Sequence, residues 1–389
     1  MMWIRFACVL LFACGNVVHG SAPDAAAGDA AAADASAPID AVAVCGDGHR
    51  APGEICFAAP ISFNATDVAY DAHLADVDGD GDLDLVYLIS DQLVFHLQDH
   101  GQFAATGIAG PTVAGTYAVA LQLNTSPTAE LIVAGAALTA YVRSDPGNYA
   151  QVAAVAMPAG TSCSALATGK ITGGALPDVV ALYGSAIHVA QFAASLNATE
   201  LPAVTVSGID DLVVGQIDSD AFTDVVIAGR TGVNFLRGSA VGLGPVTSTP
   251  QTASTDAVAV GDFNGDHDLD IAFIEASEGR VSTMIATGGG AFLAPTPLAV
   301  DGIGSLIESA DIDGDGRTDV ITVHKETDAN AVIIALGRAD GTLAPPVSLA
   351  IPITPDYLRA DADYNGDGVN DIVVTDIHRQ MITILTSAP

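Results

Sequence analysis

The sequence predicts an all-β chain, a seven-bladed β-propeller of four-stranded blades, and three observations carry that prediction. An acidic nine-residue pattern occurs in four good copies, an apolar strand-like run follows each copy, and the unit holding both recurs every 46 to 52 residues. The good copies are Asp76–Asp84, Asp262–Asp270, Asp311–Asp319 and Asp363–Asp371.

Each loop sets Asp or Asn at positions 1, 3, 5 and 9, with a backbone carbonyl available at position 7. Calcium is a hard, flexible cation that takes six to eight oxygen ligands, and this spacing suits it. The candidate ligands are Asp76, Asp78, Asp80, Asp82 and Asp84 in the first loop, and Asp262, Asn264, Asp266, Asp268 and Asp270 in the second. The third loop offers Asp311, Asp313, Asp315, Arg317 and Asp319, and the fourth Asp363, Asn365, Asp367, Val369 and Asp371. Position 7, which includes Arg317 and Val369, contributes through its carbonyl. About four Ca²⁺ ions are expected. Glycine at position 4 (Gly79, Gly265, Gly314, Gly366) allows a turn that a Cβ would obstruct. An EF-hand would continue with Glu at position 12 and a helix, whereas Tyr87, Phe273, Thr322 and Val374 stand there, among β-branched residues. Solvated acidic turns without an ion are the alternative, and mutual repulsion of crowded carboxylates weighs against it.

Aligning position 9 reveals three eroded copies between the first two good ones. The seven anchors are Asp84, Glu130, Asp178, Asp224, Asp270, Asp319 and Asp371. Runs such as Leu85–Leu88, Val179–Leu182 and Ile271–Ile274 follow them, short and continuously apolar, as strands buried on both faces are. Most units then carry a Gly-x-aromatic or Gly-x-Leu turn, as at Gly101–Phe103, Gly147–Tyr149, Gly290–Phe292 and Gly341–Leu343. In the fourth unit Gln216 replaces the first acid and Ser219 the turn glycine, so Asp218, Asp220 and Asp224 form a weak or empty metal site. The second unit (Gln122, Asn124, Ser126) and the third (Lys170, Thr172, Gly174) lack the ligands and are expected to be metal-free. The last unit has no room for a fourth strand after Ile382–Leu385. Phe57–Phe63 repeats the element that ends the sixth unit and is expected to supply the missing outer strand, covering an exposed sheet edge.

The loop, the apolar strand and the Gly-x-Phe/Leu-x-x-Pro turn resemble the FG-GAP and VCBS repeats of integrin-α-like β-propellers, from about Ala59 onward. That resemblance implies calcium in the hairpin loop between the first two strands of a blade.

Net charge is −34 with 12 basic residues, which makes nucleic acid and anionic membrane surfaces poor partners and fits a calcium-rich extracellular setting. Residues 1–13 pair Arg5 with an apolar core too short to span a bilayer, as in a signal peptide. Leu11–Cys14 resembles a bacterial lipobox, which implies lipidation of Cys14 and a cell-surface or outer-membrane lipoprotein. Cleavage after Gly20 and secretion is the alternative. Residues 14–44, rich in Ala and Asp, cannot bury enough apolar surface to fold and are expected to form a tether. The segment 45–56 resembles a Cys-Gly-Asp/Asn-Gly…Gly-Glu-x-Cys repeat of secreted surface proteins, implying a Cys45–Cys56 disulfide, and the propeller follows over 57–389.

Motifs for hydrolase, metalloprotease or nucleotide chemistry are absent. The expectation is a monomeric, non-catalytic binding or adhesion module that contacts a surface protein or glycan. A lectin is the alternative, followed by a calcium-dependent polysaccharide-active enzyme. Arg230, Arg280, Lys325 and Arg379 fall in the hairpins opposite the acidic loops and form the candidate partner-binding rim.

Overall fold

The computed structural model describes residues 53–388, apart from 91, 105, 114, 122–128, 146–147, 160, 194–196, 251–252 and 326–329. The leader, Cys14, the 14–44 segment and Cys45 lie outside the described residues, and so do Gln122, Asn124 and Ser126.

Seven antiparallel sheets follow one another along the chain, six of four strands and one of five, with a small hairpin of Gln98–Asp99 and Gln102–Phe103 beside the first. The first strand of each sheet lies beside the first strands of its neighbours, and Tyr357–Ala362 of the seventh lies beside Asp71–Ala75 of the first. The molecule is therefore a seven-bladed β-propeller. Among the described residues no helix is long and apolar enough to cross a membrane.

The second strand of every blade begins at the anchor: Asp84–Ile89, Glu130–Gly135, Asp178–Tyr183, Asp224–Gly229, Asp270–Glu275, Asp319–His324 and Asp371–Asp376. Their continuous apolar character has a direct cause. Successive side chains of a strand point to opposite faces, and each face of a blade packs on a different neighbour. Leu85 and Tyr87 join the cluster shared with the seventh blade, while Val86 and Leu88 join the one shared with the second. Val179 and Ala181 likewise face the second blade, and Val180 and Leu182 the fourth. Seven such clusters fill the seven interblade spaces. Each fully buried Leu, Ile or Phe in them contributes about 1.5–3 kcal/mol.

The seventh sheet takes its fourth strand from Ile61–Asn64, which pairs antiparallel with Met381–Leu385 in the register Ile61 to Ile384 and Asn64 to Met381. Nearer the axis, Arg359 of the seventh blade reaches Asp71 of the first at 3.2 Å and Glu308 of the sixth at 3.0 Å, and His73 lies 3.1 Å from Asp71. Burial pushes the Asp71 carboxyl up, but the His73 and Arg359 charges prevail and hold it below the usual carboxylate range. Breaking such a buried network by removing one partner is costly, because the remaining charge is left uncompensated.

Candidate functional site

The four good loops share one backbone path. Asp76 accepts the Gly79 and Gly81 N–H groups on its two oxygens. Asp311 does the same with Gly314 and Gly316, and Asp363 with Gly366 and Gly368. In the second good loop, Asp262 takes Gly265 and His267. Position 5 donates its N–H to the side chain of position 3, and position 7 to that of position 5, as in Asp266 to Asn264 at 2.8 Å and Asp268 to Asp266 at 2.9 Å. The chain thus curls around its own acids. The glycines at position 4 have φ of 82°, 79°, 74° and 74° along the chain. Position 6 needs the same left-handed conformation: Gly81, Gly316 and Gly368 supply it freely, and His267 adopts it at φ 72°. Sequence reasoning singled out position 4 alone, although glycine at position 6 in three of the four loops was a readable signal.

Carboxylate oxygens of Asp76, Asp78 and Asp84 lie within 4.8 Å of one another, and so do those of Asp311, Asp313 and Asp315. A third group, half-buried Asp82 with exposed Asp99 and His100, was not anticipated from the sequence.

Position 9 has a second role. Asp84 accepts the N–H of Val77 at loop position 2 and that of Gln98 beyond the third strand, at 3.0 and 2.8 Å. Asp270 does so with Phe263 and Ala286, Asp319 with Ile312 and Gly337, and Asp371 with Tyr364 and Ser387. Asp224 of the fourth blade keeps the arrangement, with Ile217 and Gly238. Each buried carboxylate is a strut between the acidic loop and the end of the third strand. Burial, reinforced by the loop carboxylates beside them, pushes Asp84 and Asp270 up to about 7 and Asp319 to about 8. Burial pushes Asp371 and Asp224 up to about 6. Crowding of hard oxygen donors around buried acids with raised pKa is the electrostatic condition that a divalent cation relieves.

In the third blade Asp178 accepts the Thr172 N–H at 2.7 Å, but its Oδ1 is buried without a partner among the described residues. Burial pushes its carboxyl up as well. Lys170, Thr172 and Gly174 stand where the acids stand elsewhere.

A family model described as an FG-GAP-like repeat matches residues 216–273, 262–322 and 311–374. Residues 216–374 thus resemble FG-GAP-like repeats. No curated protein sequence matches it significantly. Among solved structures it is similar to a lectin of Agrocybe aegerita, described through its specific recognition of non-reducing terminal N-acetylglucosamine. The TM-score is 0.59 at 15% identity, over 83% of this chain and 86% of that one. At that identity the likeness concerns the fold.

The hairpins between second and third strands emerge at the opposite edge of each blade from the acidic loops. They carry the candidate rim, and the structure shows what its cations touch. Arg280 forks onto Glu275 with contacts of 2.6 and 2.8 Å, and Lys325 lies 2.6 Å from Asp356. Arg379 bonds the Pro352 carbonyl and lies 3.8 Å from Asp376, and the Arg230 charge acts on Asp210. The rim is therefore largely charge-compensated by acids that sequence reasoning had not paired with it. Arg280, with Glu275, Ser282, Pro250 and Pro297, lines a cavity of about 350 Å³.

A second cavity of about 440 Å³ lies where the first and seventh blades meet, lined by Ile61, Phe63, Asn64, His96, Gln102 and Phe103. The Phe63 ring is 4.8 Å from His96 and 5.0 Å from Phe103, which stacks on Tyr364 at 4.7 Å. His96 Nδ1 lies 3.0 Å from the Ala104 carbonyl oxygen, so that nitrogen carries the proton and donates. This aromatic group was invisible in the sequence because its members come from three separate segments.

Proposed function

We propose that this propeller is a calcium-stabilised, non-catalytic binding module displayed at the cell surface. The observation that carries the reading is the convergence of acidic side chains in the first and sixth blades, where three carboxylates per loop come within 4.8 Å of one another. Asp76, Asp78, Asp80 and Asp84 would hold one ion, with the Asp82 carbonyl. The corresponding residues of the fifth, sixth and seventh blades would hold one each. Bound calcium supplies positive charge and fixes the loop; it stabilises the folded state by RT ln(1 + [L]/Kd) at each site. Lipid anchoring through Cys14, the tether of residues 14–44 and a Cys45–Cys56 bridge would hold the propeller clear of a membrane. The test is calcium titration of the full chain with thermal melts in calcium and in chelator. About four ions and a melt that falls on chelation are expected; no bound calcium and an unchanged melt would refute the reading.

For the partner, the cavity between the first and seventh blades favours a saccharide. Aromatic rings pack against the apolar face of a sugar, and the Asn64 and Gln102 amides can hydrogen-bond its hydroxyls. The fold likeness to an N-acetylglucosamine-recognising lectin supports the same class. Glycan-array binding by the wild type and its loss in Phe103→Ala would support this, whereas retention by that variant would remove the cavity from consideration. The opposite rim, with Arg230, Arg280, Lys325 and Arg379, is the alternative contact face for a surface protein or glycan. Because its cations are already paired, it suits a weakly acidic partner better than a strongly acidic one.

A further inference from the structure

The loop of the fourth blade keeps the backbone path of a calcium loop without its ligand set. Asp220 donates its N–H to Asp218 at 3.2 Å, and Phe222 donates to Asp220 at 2.7 Å. Asp224 keeps both strut bonds, at 3.0 and 2.8 Å. Ser219 adopts φ 64° where the other loops have glycine. Yet position 1 is Gln216, so the carboxylate that elsewhere gathers two N–H groups is missing. The Asp218 side chain is only 8% exposed, and a carboxylate so placed needs a countercharge.

We propose that Arg237 is the resident cation of this loop, standing in for calcium, so that the fourth blade is held without metal. Its Nε lies 3.2 Å from Asp218 Oδ2. The guanidinium is also fixed from two other sides: Nη2 donates to the Gly289 carbonyl of the fifth blade at 2.8 Å, and its carbon sits 5.7 Å from the Phe235 ring centroid. A planar donor fork held in this way is pre-organised for a carboxylate. One arginine thereby ties the fourth-blade loop to the fifth blade, as a metal loop alone would not.

Charge balance across the five acidic loops points the same way. In the first blade positions 1, 3 and 5 are all Asp, and Arg143 donates to the Asp78 carbonyl. In the sixth they are again all Asp, and Arg317 pairs with Asp315. Three carboxylates less one guanidinium leave two negative charges. In the fifth and seventh blades position 3 is Asn264 or Asn365, whose amides donate to Asp266 and Asp367 at 2.9 and 3.2 Å, and two carboxylates again leave two negative charges. Each of these four loops matches one divalent cation at those positions. The fourth, with Asp218 and Asp220 against Arg237, has one negative charge and is short of that match.

The inference rests partly on the calcium reading, and the experiment separates the two. Bound calcium is counted by titration of the full chain, and melts are recorded in calcium and in chelator. Asp218→Asn/Asp220→Asn is expected to bind as many ions as the wild type, while Gln216→Asp/Arg237→Gln is expected to bind one more. Arg237→Gln alone is expected to melt a few degrees lower in chelator, with Arg237→Lys restoring part of the loss. Loss of one ion in the Asp218/Asp220 variant, or no gain in the Gln216/Arg237 variant, would overturn the proposal. If the wild type binds no calcium, the calcium reading falls by itself. Arg237 is then judged by the chelator melt, where an unchanged Arg237→Gln variant overturns it.

Discussion

In the fifth blade, Asp270 accepts the N–H groups of Phe263 and Ala286, and Asp262, Asn264 and Asp266 curl above it. In the third blade, Asp178 accepts the Thr172 N–H, its Oδ1 is buried without a partner among the described residues, and Lys170, Thr172 and Gly174 replace the acids. Both anchors are buried and both begin a wholly buried second strand. The difference separates two jobs that the repeat pattern merges. Position 9 serves the fold, since it survives where the other acids are gone, whereas the acids at positions 1, 3 and 5 have no such strut role and serve the proposed cation.

One isosteric change made in both places gives the largest expected contrast. Asp270→Asn turns an NH₂ group toward one of two buried N–H donors, so it should destabilise by about 1–3 kcal/mol. Asp178→Asn keeps an acceptor for Thr172 and removes a poorly compensated buried charge, so it should be neutral or stabilising. Thermal unfolding in chelator measures both, and equal losses would erase the distinction.

Calcium linkage comes next. A site held at about 100 times its Kd adds about 2.7 kcal/mol. Asp262→Ala should remove one ion and its share of the calcium-induced rise in Tm, while Lys170→Ala should leave the ion count unchanged. Calorimetric titration of both variants checks this.

A smaller effect concerns pH. Asp84, Asp270 and Asp319 have folded pKa values of about 7, 7 and 8, above the ordinary carboxylate value of 3.8. A group raised in the folded state binds its proton more readily there, so its stabilising contribution is present at low pH and lost as pH rises through the folded value. In chelator, stability should therefore decline between about pH 4 and 8 from these groups. Saturating calcium should flatten that decline. Chemical unfolding at a series of pH values reads both slopes, and identical slopes with and without calcium would argue against ions in these loops.

The smallest expected effect is a gain. His267→Gly relieves a left-handed non-glycine residue, worth on the order of 1 kcal/mol, and should raise Tm slightly in chelator.

The second strands and the acidic loops were legible because each is continuous in sequence and repeated. The runs after Asp84, Asp178 and Asp270 are apolar at every position, since both faces of a blade are covered. What stayed hidden depends on residues distant in the chain. Arg143 contacts the first loop across 65 residues, and Phe63 and Phe103 meet only because two different blades adjoin. The partners of the rim cations Arg280 and Lys325, Glu275 and Asp356, were not visible, because pairing depends on side-chain direction rather than spacing. The strut bonds of position 9 had no sequence signal beyond the invariance of an acid within this one chain.

The pairing of Ile61–Asn64 with Met381–Leu385 also has a consequence for folding kinetics. Ser62 and Thr383 hydroxyls lie 3.1 Å apart although the residues are 321 positions apart in the chain. Closing that loop costs only about 2.5 kcal/mol more than closing a 20-residue one, because closure entropy grows with the logarithm of length. The delay it imposes is more severe: contacts of such long range slow the search for the native state. Until this strand docks, Met381–Leu385 is an unpaired edge, open to pairing with a strand of another molecule. The interval between completing six blades and seating that strand is thus when the chain is most exposed to domain swapping and aggregation.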